Sequence, residues 1–481
     1  MWLLGAAGAL GALGKARRYL RKARYPLAAG MVAVAVGTLS LTLSLTDAGP
    51  ALAAADPLPV NQPVGIAQGI HPGRVVWVRD KEAVDWVGPH TGTLWYQRTD
   101  QQVVSRMLER AVMNLSGEDS VAAAWDALFR HYNRTHGRGD VGYQAGEKIA
   151  IKTNHTLCGE SDPMRMGKPW EHADNIGNSP QLTVALLRQL VVDAGVPAEQ
   201  ISIGDPSRIM PNFYYNAIQR HEELRRVVCL TRYGSPVSGR RLVSFSDVPV
   251  VWSDPEPRRL DRVTAQDHIP TSFAEADYVV NFAILKSHEM NGITLCAKNH
   301  YGSLIRNPIA YDDPLGRQFY DMHQTLPTNL PGMGHYRAVV DLMGHPELGG
   351  KTVLYLIDGL IAGEDWEGRP SRWQMAPFDG DWPESIFVSQ DAVAIDSVGF
   401  DFLRTEWSES YPSMSGTADY LREAALAGSP ISGALYDPDG DGQPMDSLGV
   451  YEHWNNPEDK QYSRNLGTGA GIELVPLMPG D

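Results

Sequence analysis

Short apolar runs and apolar residues at helical spacing take turns along this chain in a regular order. Arg74-Val75-Val76-Trp77-Val78-Arg79 is β-branched and aromatic, the composition of a strand. Residues 102–115 and 120–132 carry apolar side chains at helical spacing (Val103, Met107, Val112; Val121, Trp125, Leu128, Phe129), which predicts two helices over that strand. From Glu147 the alternation becomes stricter. Residues 148–152 form a strand followed by Thr153-Asn154-His155. Ser179 is an N-cap with Pro180 in the first helical position, and Leu182, Leu186, Leu187, Leu190 and Val191 carry the helix to a stop at Gly195. Residues 200–204 are the next strand, ending in Asp205-Pro206-Ser207. The apolar run 279–285 follows, then 352–357 with Asp358-Gly359 behind it. Last, 386–388 leads into Ser389-Gln390-Asp391, capping a helix with Val393, Ile395, Val398, Phe402 and Leu403. Repeated β–α units of this kind predict an α/β fold. We expect a mostly parallel, doubly wound sheet with helices on both faces and irregular insertions.

The first 55 residues do not fit that alternation. Arg17, Arg18, Arg21, Lys22 and Arg24 form a basic block, residues 26–46 carry no charge, and small residues around 51–55 offer cleavage sites. That order reads as a secretory signal peptide over 1–55, with Arg17-Arg18 similar to a twin-arginine export motif. The apolar run is also about long enough for an uncleaved membrane anchor. Residues 56–73, rich in Pro and Gly, read as a linker, and 74–481 as the α/β domain with a tail, 430–481, packed on it. The expected location is outside the cytoplasm, periplasmic or anchored at the membrane. If the twin-arginine signal is used, the translocation machinery is a partner.

Composition narrows the function. The chain has 481 residues and a formal charge of -15, which argues against non-specific nucleic-acid binding. Cys158, Cys229 and Cys296 are far apart, so neither a disulfide framework nor a Cys-x-x-Cys site is present. No G-x-G-x-x-G follows a strand, and no Walker loop or G-x-S-x-G elbow is found. Asp437-Pro438-Asp439-Gly440-Asp441-Gly442 imitates the start of a calcium loop. Leu448 stands where its bidentate acid belongs, so a Gly/Asp turn is the better reading.

The chemistry collects where strands end. In doubly wound sheets ligands bind beyond the carboxyl ends of the strands. Here those ends carry Lys152, Asn154 and His155, then Asp205 and Ser207, then Lys286 and His288, and finally Asp358 and Asp391. The stretch 279–304, VVNFAILKSHEMNGITLCAKNHYGSL, is the densest, adding Glu289, Lys298, Asn299 and His300. Polar groups this close to a core strand are costly unless paired or used. The K-S-H and T-L-C-A-K-N-H-Y-G segments, with I-K-x-N, G-D-x-S, I-D-G and S-x-D-x-V-A-x-D elsewhere, resemble the domain-of-unknown-function 362 family over roughly 74–475. Some relatives carry a ferredoxin-like module that this chain lacks, so an iron–sulfur cluster in this chain alone is not expected. The family's activity is not established, and the resemblance implies a fold and a site more than a reaction.

The residues themselves suggest the rest. Lysines beside a desolvated carboxylate bind anions or act as bases or nucleophiles. We expect Lys286, Lys298, Asn299, Asp205 and Asp358 to be catalytic, and Lys152, Asn154 and Ser207 to hold substrate. His288, His300 and His335 are candidate ligands for a divalent transition metal. His155, His172, His323 and His345 are expected in surface loops. Two functions fit: a metal-assisted enzyme acting on a small anionic or polyol substrate, or a non-catalytic carrier of a metal, cofactor or ligand.

Overall fold

In chain order the strands are β1 (Val64–Gly65), β2 (Arg74–Arg79), β3 (Ile149–Lys152), β4 (Ile201–Gly204), β5 (Val228–Thr231), β6 (Arg241–Leu242), β7 (Phe245–Pro249), β8 (His268–Pro270), β9 (Tyr278–His288), β10 (Gly292–Thr294), β11 (Thr352–Gly363), β12 (Ser385–Ser389), β13 (Val450–Tyr451) and β14 (Glu473–Leu477). The helices of eight or more residues are α1 (Gln101–Ser116), α2 (Val121–Thr135), α3 (Pro180–Arg188), α4 (Asn212–Gln219), α5 (Ala392–Trp407) and α6 (Ala418–Ala425). This computed structural model describes residues 62–155, 176–232, 239–254, 267–304, 322–364, 369–407 and 416–479. The expected export segment, Cys158 and His172 lie outside the described residues. Among the described residues no helix is long and apolar enough to cross a membrane.

The main sheet runs β14-β2-β12-β11-β9-β3-β4-β5-β6, with β10 paired to β9. Along that path every pairing is parallel except those of β12, which is antiparallel to both β11 and β2. The expected mostly parallel α/β architecture is therefore present. Successive strand residues point to opposite faces, and each face has its own core. Val75 and Trp77 join Val393, Ile395 and Val398 of α5 on one side. Val76 and Val78 join Val104 and Leu108 of α1, Trp125 of α2 and Leu186 of α3 on the other. Both faces are covered, which is why β9 and β11 are buried along nearly their whole length. Each fully buried Val or Leu contributes about 1.5–3 kcal/mol.

Local signals act as expected at the helix starts. The Ser179 hydroxyl accepts from the Leu182 N–H and Pro180 follows it. Asp100 caps α1 by accepting from Gln102 and Val103, and Gly117 closes it at φ 81°. Three expectations change. Residues 62–73 are not a free linker: β1 pairs with β13, and the Gln68 N–H binds the Asp391 carboxylate at 2.8 Å. The tail is not merely laid on the domain, because β14 is an edge strand of the main sheet. Finally, β11 does not stop at Asp358-Gly359 but continues to Gly363.

Candidate functional site

The site grows from three neighbouring parallel strands. β9, β3 and β4 lie side by side with Lys152 opposite Asn281 and Gly204. Their carboxyl ends therefore deliver Lys286 and His288, Lys152, and Asp205 to one edge. The β9–β10 hairpin and the short helical turn Cys296–Asn299 return the chain over that edge and add Lys298 and Asn299. These residues line one cleft of about 430 Å³, with Asn154, Ser207, Arg208, Glu289, Tyr301 and His323 completing much of its wall.

At its floor lies a buried ion pair. The Lys152 ammonium stands 3.4 Å from the Asp205 carboxylate, donates to the Thr153 carbonyl at 2.5 Å and to Asn299 Oδ1 at 3.1 Å. Asp205 Oδ1 accepts from the Ser207 N–H and hydroxyl at 3.1 and 2.7 Å, and Oδ2 from the His155 N–H at 3.1 Å. Burial raises the Asp205 carboxyl, but Lys152, Arg208, His155 and the Ser207 bond outweigh it and hold it below the usual range. Burial pulls the Lys152 ammonium down, and Asp205 opposes that. With three acceptors on the ammonium the pair is ionic at neutral pH.

Asn299 is the framework of this floor. Its amide nitrogen donates to Asn281 Oδ1 at 2.8 Å and to the Lys152 and Phe282 carbonyls at 3.2 Å. Both ends of the side chain are occupied, so Asn299 positions Lys152; this corrects the expected catalytic role. Gly302 has a physical reason too. A Cβ there would meet Asp205 Oδ1 at 2.7 Å and Lys152 Nζ and Ser207 Oγ at 3.0 Å. The K-N-x-x-G segment thus holds the ion pair with its asparagine and makes room for it with its glycine.

His288 stands on the cleft wall with its ring 12% exposed. Its Nδ1 accepts from the Met290 N–H at 3.1 Å and from the Asn291 N–H at 3.4 Å. An Nδ1 that accepts leaves the proton of the neutral ring on Nε2. Burial, with Lys298, Lys286 and His323 nearby, pushes the ring well below its ordinary value. His288 is therefore a neutral N–H donor at physiological pH. Lys298 lies with Nζ 4.0 Å from the Tyr301 ring centre, and the Tyr301 hydroxyl bonds His323 Nδ1 at 2.8 Å.

Several expected site residues go elsewhere. Asp358 sits inside β11, accepting from the Ser179 N–H at 2.6 Å and the Leu360 N–H at 3.2 Å, so it anchors α3 and does not line the cleft. Asp391 follows β12, which runs antiparallel to its neighbours β11 and β2, and emerges at the opposite edge, where it accepts from Gln68, Val393, Ala394 and Val450. The His300 ring is buried with Nε2 2.9 Å from Asn281 Nδ2 and Nδ1 3.1 Å from the Ser303 hydroxyl. Both nitrogens are engaged, which removes it as a metal ligand. His335 turns to the Pro331 carbonyl at 3.1 Å, away from the cleft. The histidines expected to share a metal are thus not brought together. Among the described residues, the one group of three acidic, Cys or His side chains with adjacent ligand atoms is Asp437, Asp439 and Asp441. There Asp437 accepts from the Asp441 and Gly442 N–H groups, as in a turn.

Other residues escaped the sequence reading. His323 lines the cleft and His155 is buried beneath it; both were expected on the surface. His345 is buried as well. Asn281 hides in an apolar run, where its amide links Asn299, Cys296 and His300. A lone amide amid VV-FAIL was the available signal, since a buried polar side chain must find partners.

Fold and cleft together define an α/β protein with a polar cleft at the carboxyl edge of its parallel strands. Residues 179–401 match the family described as Domain of unknown function (DUF362), and the protein is a DUF362 domain-containing protein. No curated protein matches the chain. The matched segment holds Asp205, Lys286, His288, Lys298 and Asn299, whereas Lys152 and Asn154 precede it and join the site through the fold.

Proposed function

We propose that this is an exported protein whose cleft binds a small anionic substrate and acts on it by acid–base chemistry. One observation carries the reading: among the described residues that line the cleft, Lys152, Arg208, Lys286 and Lys298 converge with the neutral donor His288, against Asp205 and Glu289, in a chain of net charge -15. Cations gathered in one concave site, against the overall charge of the chain, create a local positive field that draws in an anion. An anion is favoured over an uncharged polyol for the same reason. In the reaction His288 Nε2–H donates to a developing oxyanion and a cleft lysine, as an ammonium, orients the substrate's negative charge.

The carrier reading has one observation on its side. The Asp205 carboxylate is fully engaged by Ser207, His155 and Lys152, so it is not a free base. Isothermal titration of the purified protein with inorganic phosphate, sulfate and malonate tests the anion site that both readings share. Binding that is lost in Lys286→Met and Lys298→Met supports the anion site, and no binding by the unsubstituted protein rejects it. Metal analysis of the same sample tests metal assistance: a stoichiometric transition metal lost in His288→Ala would restore the metal-assisted reading. Export is tested by replacing Arg17 and Arg18 with Lys. Retained precursor supports the twin-arginine route, and normal export rejects that route.

A further inference from the structure

The β9–β10 hairpin presents three side chains to the cleft. Lys286 and His288 are two apart in β9 and share a face. Thr294 lies directly across from Lys286, and Gly292 directly across from His288. Gly292 leaves the space over the imidazole free of a side chain. The alternate residues turn the other way: Ile293 enters the hydrophobic core, and Ser287 bonds the Glu364 carbonyl. Lys286, His288 and Thr294 all line the cleft.

Thr294 is the anomaly of this group. It is 4% exposed, and its hydroxyl oxygen has no hydrogen-bond partner. Buried hydroxyls almost always find one, and a valine of the same shape would carry no such deficit on a β-strand. A hydroxyl kept at this position, one cross-strand step from an ammonium and next to an imidazole N–H donor, is explained by a ligand oxygen that completes it. Directly opposed strand residues have their Cβ atoms about 4.5–5.5 Å apart, so the hydroxyl and the lysine can meet one oxyanion together.

We propose that Thr294 is a ligand-contacting residue that, with Lys286 and His288, selects a ligand whose oxyanion takes a hydrogen bond from the threonine hydroxyl. The inference rests on the anion-binding reading of the cleft and adds to it a third donor. Three donors from one hairpin suit an oxyanion with three accessible oxygens, so phosphate and sulfate bind more tightly than malonate.

Titration of the full chain with inorganic phosphate tests this, using Thr294→Val, Thr294→Ser and Lys286→Met, with thermal melts of each protein free of ligand. We expect Thr294→Val to weaken phosphate binding about tenfold, the loss of one hydrogen bond to a charged group. Its unliganded melting temperature should be no lower than that of the unsubstituted protein, and Thr294→Ser should bind phosphate nearly as well. If Thr294→Val binds phosphate normally while Lys286→Met does not, the inference fails and the anion site stands. A fall in the unliganded melting temperature of Thr294→Val, absent in Thr294→Ser, would assign the hydroxyl to structure and also overturn it. Absence of phosphate, sulfate and malonate binding in the unsubstituted protein removes the anion site and this inference with it.

Discussion

His155→Phe should stabilise this protein, and by more as the pH falls. The imidazole is buried, both ring nitrogens lack a hydrogen-bond partner, and the ring packs T-shaped with Tyr214 at 4.5 Å between ring centres. Its backbone N–H holds Asp205, and a phenylalanine keeps that bond. Burial lowers the ring to about 4 from an ordinary 6.5, only partly opposed by Asp205. The sign follows from linkage. The folded state refuses the proton that the unfolded chain accepts, so the stability of the native protein drops as pH falls below 6.5 and levels off near 4. At about 1.36 kcal/mol per pH unit, the histidine costs the fold roughly 2.5 kcal/mol at about pH 4.5 and almost nothing at about pH 8. Phenylalanine does not titrate, and groups that do not interact with His155 cancel in the comparison. Urea melts of both proteins across this range should show the stability difference widening by that amount. A difference that stays constant with pH would mean that His155 ionises alike in both states. The burial argument would then be wrong.

The ion pair and its glycine make two further predictions. Lys152→Met leaves the buried Asp205 without its counter-ion and should cost about 3–5 kcal/mol in denaturant melts, whereas Lys152→Met with Asp205→Asn should recover most of it. A double variant no more stable than the single one would show that the two charges are not coupled. Gly302→Ala pushes a methyl against Asp205, Lys152 and Ser207, and should cost about 1–3 kcal/mol while weakening phosphate binding. Unchanged melting and binding would mean the close approach is not a constraint.

Much of this protein was determined locally. The strands β2, β3, β4 and β12 and the helices α1, α2 and α3 announce themselves through residue spacing and caps such as Ser179-Pro180, because those signals act within a few residues. The convergence of Lys152, Asp205, Lys286, His288 and Lys298 was also legible, since parallel strands put their carboxyl ends on one edge. What spacing does not encode is strand direction, strand length and which partner a polar atom finds. One antiparallel strand carries Asp391 to the far edge. A strand that runs on through Gly363 leaves Asp358 inside the sheet, where it anchors a helix. His300 and Asn299 spend their polar atoms on neighbours that only the closed fold supplies, while His155 and Thr294 are left without any. Local sequence determines which element each residue joins. Tertiary packing decides which polar groups are satisfied by the protein, and therefore which remain for a ligand.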